Sequence, residues 1–227
     1  GTDDNLQIWT QGQGKYTSYW LPSFDDVNEK VVFNLSVKFQ NGYNVISNGV
    51  FKNVNHKRNG YENGFSTYNF LMQQPMSSYL VMLAIGKFEK QTATTKSGTP
   101  LEFYLDKNDY LKFVPTYRYS KELFDYLEQE IGVKYPWGIY RQVPVRDFLY
   151  AGMENTTSTI FSQDFVVDSI GFNDRNYVNV NAHELAHQWF GNFITAQSGK
   201  HHWLQEGFAT YYALLAERSV FGDDYFY

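Results

Sequence analysis

The sequence has 227 residues, 43% of them hydrophobic, and a formal net charge of -5. That is enough chain for one large domain or two modest ones, and it lacks the basic surplus a phosphate backbone needs, which argues against a nucleic-acid partner. With no cysteine, disulfides and thiolate metal sites are excluded, and the longest apolar run, residues 79–85, falls far short of the roughly 20 residues that span a bilayer.

Along the chain, Val31, Phe33, Leu35, Val37 and Phe39 alternate with Val32, Asn34, Ser36 and Lys38, the period of a strand with one buried face. A turn at Asn41-Gly42 follows. Short strands are expected at 45–46, 50–54 and 65–70, punctuated by Asn48-Gly49, Asn59-Gly60 and Asn63-Gly64, dipeptides that accept positive φ; together they predict an antiparallel meander. Residues 79–88 form a near-continuous apolar run, and the polar stretch 92–100, with Ser97-Gly98, reads as a connection. A domain boundary is therefore expected near residue 90, dividing 1–90 from 91–227. Beyond it the pattern predicts a strand at 101–105, then a helix through Tyr117, Ser120, Phe124, Leu127 and Ile131 that stops at Gly132. Strands at 142–145 and 157–161 and helices over 176–192 and 203–221 complete a second half that mixes α and β, giving an α+β fold.

The chemistry concentrates at His183-Glu184-Leu185-Ala186-His187, an HExxH string. On a helix, residues four apart share a face, so both imidazoles reach one ion, while Glu184 is offset from them and suited to take a proton from a water at that ion. A catalytic zinc needs three protein ligands and an open position. Glu206, after 18 intervening residues in Trp203-Leu204-Gln205-Glu206-Gly207-Phe208-Ala209, supplies the third, for one Zn2+ per chain. HExxH strings also arise by chance on solvated helices; the spacing to Glu206 and the apolar surroundings of the His pair weigh against that. His201 and His202 read as surface or supporting residues near the ligand helix, and His56 as part of a polar turn.

HELAHQWFGN followed by WLQEGFA resembles the aminopeptidase N family of gluzincin zinc metallopeptidases, which includes leukotriene hydrolase-type members. Tyr150-Ala151-Gly152-Met153-Glu154-Asn155 resembles that family's GxMEN exopeptidase loop, Leu21-Pro22-Ser23-Phe24-Asp25 its N-terminal β domain, and Tyr135-Pro136-Trp137-Gly138 its catalytic domain. The resemblance implies a partial antiparallel β domain followed by a partial thermolysin-like catalytic domain. It implies a zinc aminopeptidase acting on peptides with a free N-terminus, in which Glu154 holds the substrate's α-amino group, Ala151, Gly152 and Met153 lie along the substrate and Gln13 of Gln11-Gly12-Gln13 reaches into the site. Met153 and Ala151 are equally open to a packing role.

The sequence departs from the family pattern in two ways. Ala151 replaces the first glycine of GxMEN, costly only if that position needs positive φ. The family's oxyanion-stabilising tyrosine falls beyond Tyr227, so the chain is expected to be a fragment with little or no activity alone. The alternative from another class is a non-catalytic binding or scaffold module that keeps the metal site.

Overall fold

The strand-rich first part forms small antiparallel sheets and the second part a mixed sheet covered by helices. The structure is a computed structural model and describes residues 6–56, 64–173 and 176–226. Among the described residues the first part carries β1 (Ile8–Trp9), β2 (Lys30–Val31), β3 (Asn34–Gln40), β4 (Asn44–Ser47), β5 (Val50–His56), β6 (Phe65–Leu71), β7 (Met76–Ser77) and β8 (Leu83–Gly86). Their order is β3-β6-β5 in one sheet, β1-β8-β4 in another and β2-β7 in a third, all antiparallel.

This is not the expected meander: β4 leaves its sequence neighbours and pairs with β8. The reason lies in burial. β3 exposes every second residue, as its alternation predicts, whereas Val45, Ile46 and Ser47 of β4 are all buried and need cover on both faces. Gly42 and Gly49 take the positive φ expected of their turns, at +87° and +80°. The expected turns at Asn59-Gly60 and Asn63-Gly64 fall wholly or partly outside the described residues, and His56 ends β5 rather than lying in a turn.

The second part holds β9 (Phe88–Thr94), β10 (Pro100–Asp106), β11 (Tyr140–Val145), β12 (Gly152–Met153) and β13 (Ser158–Ser162) in the order β12-β13-β11-β10-β9. β10, β11 and β13 run parallel, with an antiparallel strand at each edge. The stretch read as a connection at 92–100 is instead a hairpin. β9 and β10 pair from Phe88↔Asp106 to Thr94↔Pro100, and the Thr95 N–H donates to the Thr99 carbonyl at 3.0 Å across the turn, where Gly98 has φ +94°. The end of β9 from Thr92 looked like part of a connection because β9 is an edge strand, exposing Glu89, Lys90, Gln91 and Thr92 in succession.

Helices α1 (Phe113–Tyr117), α2 (Ser120–Ile131), α3 (Asn176–Ala186), α4 (His202–Phe221) and α5 (Asp223–Phe226) follow. α2 buries Leu123, Phe124 and Leu127 and ends where Gly132 turns left-handed at φ +73°. α3 stops at Ala186, six residues short of the expected end, because the chain tightens: Gln188 and Trp189 N–H groups donate three residues back, and Gly191 takes φ +127°. The main core joins Phe103, Tyr140 and Phe161 of the sheet to Phe124, Leu185 and Trp189, with Ala209, Ala213 and Ala216 forming the buried stripe of α4. The alanines let α4 approach α3 closely. Among the described residues no helix is long and apolar enough to cross a membrane.

The first part also braces the second. Asn48 donates through Nδ2 to the carbonyls of Leu80 at 2.9 Å and Thr156 at 2.6 Å, and the Gly49 N–H donates to Thr157 Oγ1 at 2.7 Å. A Cβ on Gly49 would come within 2.3 Å of the Leu71 carbonyl oxygen, so only glycine fits this brace.

Candidate metal centre and active site

The shortened α3 still delivers both imidazoles. The His187 N–H donates to the His183 carbonyl at 3.2 Å, so the last helical turn closes and the i, i+4 pair shares a face. His183 Nε2 and His187 Nε2 lie 3.0 Å apart, and Glu206 Oε2 from the first turns of α4 sits 3.3 Å from the former and 3.5 Å from the latter. His187 is fully buried, and its Nδ1–H donates to the Phe190 carbonyl at 2.9 Å, which leaves the Nε2 lone pair facing the cluster. Three donors of the expected types thus converge on one point, a set able to hold a cation.

Glu184 is buried beside them, with Oε2 free of any hydrogen-bond partner. Burial pushes its carboxyl up to about 8, with Glu154 adding to the shift, His187 opposing it and Glu206 adding again. Burial opposes the imidazolium of His187, yet the charges of Glu154, Glu206 and Glu184 outweigh it and raise it to about 9. Burial likewise disfavours the Glu206 carboxylate, but hydrogen bonds from His183, His187 and His202 hold it well below the usual carboxylate range. A dication at the donors would favour the carboxylates and the neutral imidazoles.

The 150–155 loop reaches the same place. Gly152 lies against Glu184: a Cβ there would come within 2.5 Å of Oε1 and 2.6 Å of Cδ and Cγ. Its lack of a side chain is what lets the carboxylate fit. Glu154 is 3% exposed with Oε1 unpartnered, and a donor oxygen of it lies within 4.8 Å of donors on His202 and Glu206. Its backbone is pinned to the chain after α3: the Glu154 carbonyl accepts from Gln188 Nε2 at 3.1 Å and Asn192 Nδ2 at 2.7 Å. Gln188 Oε1 also accepts from the Thr157 N–H at 2.9 Å, steadying a non-glycine residue at φ +68°.

Of the other expected residues, Gln13 comes to the site edge, with Nε2 3.3 Å from His202 Nε2. Met153 is 1% exposed and packs in a second core with Tyr79, Leu80 and Ile160. Ala151 is exposed and faces a separate hollow with Phe148, Leu149 and Tyr150, away from the donors. It has no positive φ, so the methyl that replaces the family's glycine brings no backbone strain.

His202 is more central than its sequence context suggested. Its Nε2 is 2.9 Å from Glu206 Oε1, the oxygen not facing the other imidazoles, and Nδ1 is 3.1 Å from Gln205 Nε2, which in turn donates to the Tyr79 hydroxyl at 3.0 Å. The hydrogen bond to Glu206 raises His202 against the opposing effect of burial. The signal was present: His202 stands four residues before Glu206, the same spacing as His183 and His187. Tyr79, 126 residues from Gln205, carried none.

Comparison with known proteins agrees with this geometry. The peptidase M1 N-terminal domain model matches residues 1–80 and the peptidase family M1 domain model matches residues 116–225. The chain is 30% identical to the glutamyl aminopeptidase of Rattus norvegicus over 86% of its own length and 21% of that protein's. It is 29% identical to the probable aminopeptidase 1 of Sulfurisphaera tokodaii over 96% of its length and 28% of that protein's. It therefore spans about a fifth to somewhat over a quarter of these curated relatives. With both M1 domain models matched in order, and with the HExxH, third-donor and GxMEN-like elements gathered at one point, the chain belongs to peptidase family M1.

Proposed function

We propose that the protein to which this chain belongs is a zinc-dependent aminopeptidase that hydrolyses the first peptide bond of substrates with a free N-terminus. The convergence of His183 Nε2, His187 Nε2 and Glu206 Oε2 carries the reading, because their separations of 3.0, 3.3 and 3.5 Å match a zinc tetrahedron. Zinc–ligand bonds of about 2.0–2.1 Å at tetrahedral angles put ligand atoms about 3.3 Å apart. Two neutral imidazoles and a carboxylate with one open position form a catalytic rather than a closed structural donor set. When bound, zinc would supply Lewis-acid polarisation of the scissile carbonyl and a more acidic water.

The remaining chemistry belongs to the chain. Glu184 takes the proton from the attacking water and delivers it to the leaving nitrogen, a shuttle that its buried place beside the three donors suits. Glu154 receives the substrate's α-ammonium group; its buried unpartnered oxygen is a costly arrangement that a cationic group relieves. Gln13 borders the same space, and Gly152 leaves room for the Glu184 side chain. We place the division between the supporting β part and the catalytic part near residue 90, where the strand that crosses it already pairs within the larger sheet.

The test is hydrolysis of aminoacyl-arylamides by the whole protein and two variants. Glu184→Gln is expected to lower kcat by about a hundredfold or more with little change in KM. Glu154→Gln is expected to raise KM and to erase the preference for a free over an acetylated N-terminus. Unchanged turnover in Glu184→Gln, or equal hydrolysis of acetylated substrate by the unsubstituted protein, would overturn the proposal.

A further inference from the structure

We infer that a cavity between the β part and the larger sheet binds a small aromatic monocarboxylate. The cavity measures about 220 Å³ and is lined by residues of β4, β5 and β6 together with residues of β9, β10 and β11. Its lining shares no residue with the metal centre or with the 150–155 loop.

Strand register builds the charged end. Glu102 stands opposite Arg141 across β10 and β11, and Tyr104 opposite Lys90 across β9 and β10, so the four side chains share one face of the sheet. Glu102 accepts from Arg141 Nε at 2.6 Å, from Lys90 Nζ at 3.1 Å and from the Tyr104 hydroxyl at 2.9 Å. Burial opposes its carboxylate, yet Arg141 and Lys90 outweigh burial and hold it below its ordinary value. Lys90 and Arg141 against Glu102 leave one positive charge unanswered among the lining residues.

Arg141 shows what that charge is for. Its side chain is 2% exposed; Nη1 donates to the Gly49 carbonyl at 2.7 Å and the Ser47 carbonyl at 3.2 Å, and Nε to Glu102, while Nη2 has no hydrogen-bond partner among the described residues. A structural brace accounts for Nε and Nη1 and leaves Nη2 unexplained. An enclosed guanidinium nitrogen without an acceptor is unfavourable, and a carboxylate relieves it through a charge-assisted bond. Lys90, with 44% of its side chain exposed, has the freedom to reach the same carboxylate. The rest of the lining suits a ring: Tyr43, Phe51, Tyr68, Phe70 and Tyr104 border the cavity, and Phe51 and Phe70 already meet at 5.5 Å with their planes tilted by 58°, a packing that a third ring extends. Pockets for drug-sized ligands hold about 300–1,000 Å³, so this smaller space limits the occupant to one ring with a short arm.

The test is titration calorimetry of the whole protein with 3-phenylpropionate, its neutral amide and acetate. 3-Phenylpropionate is expected to bind one to one with a Kd of about 0.1–1 mM, and the amide and acetate at least about tenfold more weakly. Lys90→Gln is expected to weaken the acid by about threefold to tenfold and leave the amide unchanged, and Phe51→Ala to weaken both. Both substitutions fall on exposed positions, so the test does not depend on replacing the buried Arg141. Glu206→Gln, which removes a metal donor, is expected to leave the affinity unchanged. No saturation by about 10 mM, equal affinity for acid and amide, or an affinity indifferent to both Lys90→Gln and Phe51→Ala would overturn the inference. Binding lost in Glu206→Gln would also overturn it, by moving the ligand to the metal centre.

Discussion

Helices α3 and α4 bring donors to one point by different means. α3 and the turn after it are enclosed: Ala182, Leu185, Ala186, His187, Gln188 and Trp189 are all buried, and His187 is held through Nδ1 by a backbone carbonyl. α4 buries a stripe of alanines but presents Trp203, Leu204, Phe208, Tyr211 and Leu214 on its open side, and Glu206 keeps 38% of its side chain accessible. The His pair is positioned by packing, while Glu206 is positioned by hydrogen bonds to three imidazoles. Damage on the α3 side should therefore cost fold and metal together, and damage on the α4 side should cost metal affinity with little effect on the fold.

Trp189→Ala should show the largest effect. The indole is 1% exposed, packs at tilted and edge-on angles against Phe124 and Tyr135 and donates Nε1–H to the Val133 carbonyl at 2.9 Å, so its loss is expected to destabilise by about 3–5 kcal/mol in denaturant unfolding. Gly152→Ala comes next. The added methyl must displace a buried Glu184, which should cost about 1–3 kcal/mol and, in the whole protein, depress kcat. Glu206→Gln should leave the unfolding midpoint of the metal-free chain nearly unchanged while zinc retention falls, the sharpest separation of the two sides. Smallest of all, Trp203→Ser on the open face of α4 should change stability by less than about 0.5 kcal/mol. The comparison breaks if Trp203→Ser proves as damaging as Trp189→Ala.

The legible parts of the sequence were those where one local rule decides the outcome. The His183 and His187 spacing, the Gly132 stop of α2 and the alternation of β3 from Asn34 onward held, because each depends on residues within a turn or two, whereas Val31, expected on the same strand, is exposed and pairs in β2 with β7. What failed needed distant partners. The end of β9 from Thr92 read as part of a connection because β9 pairs with β10 alone, and β4 left its expected neighbours because its partner β8 lies some 40 residues away. The end of α3 was overestimated because apolar periodicity continues past Ala186 while the backbone already turns toward Gly191. In the site, the types and spacing of the candidate donors were readable, but the supports were not. Asn48 braces the Thr156 carbonyl across 108 residues, Tyr79 meets Gln205 across 126, and Gly152 matters only because Glu184 lies on it.

The most direct test of the central claim is the zinc content of the purified chain after dialysis into metal-free buffer, beside His187→Ala and Glu206→Gln. The three-donor site predicts about one tightly held equivalent in the unsubstituted chain and essentially none in either variant. An unsubstituted chain that keeps no zinc, or variants that keep as much as it does, would contradict the account.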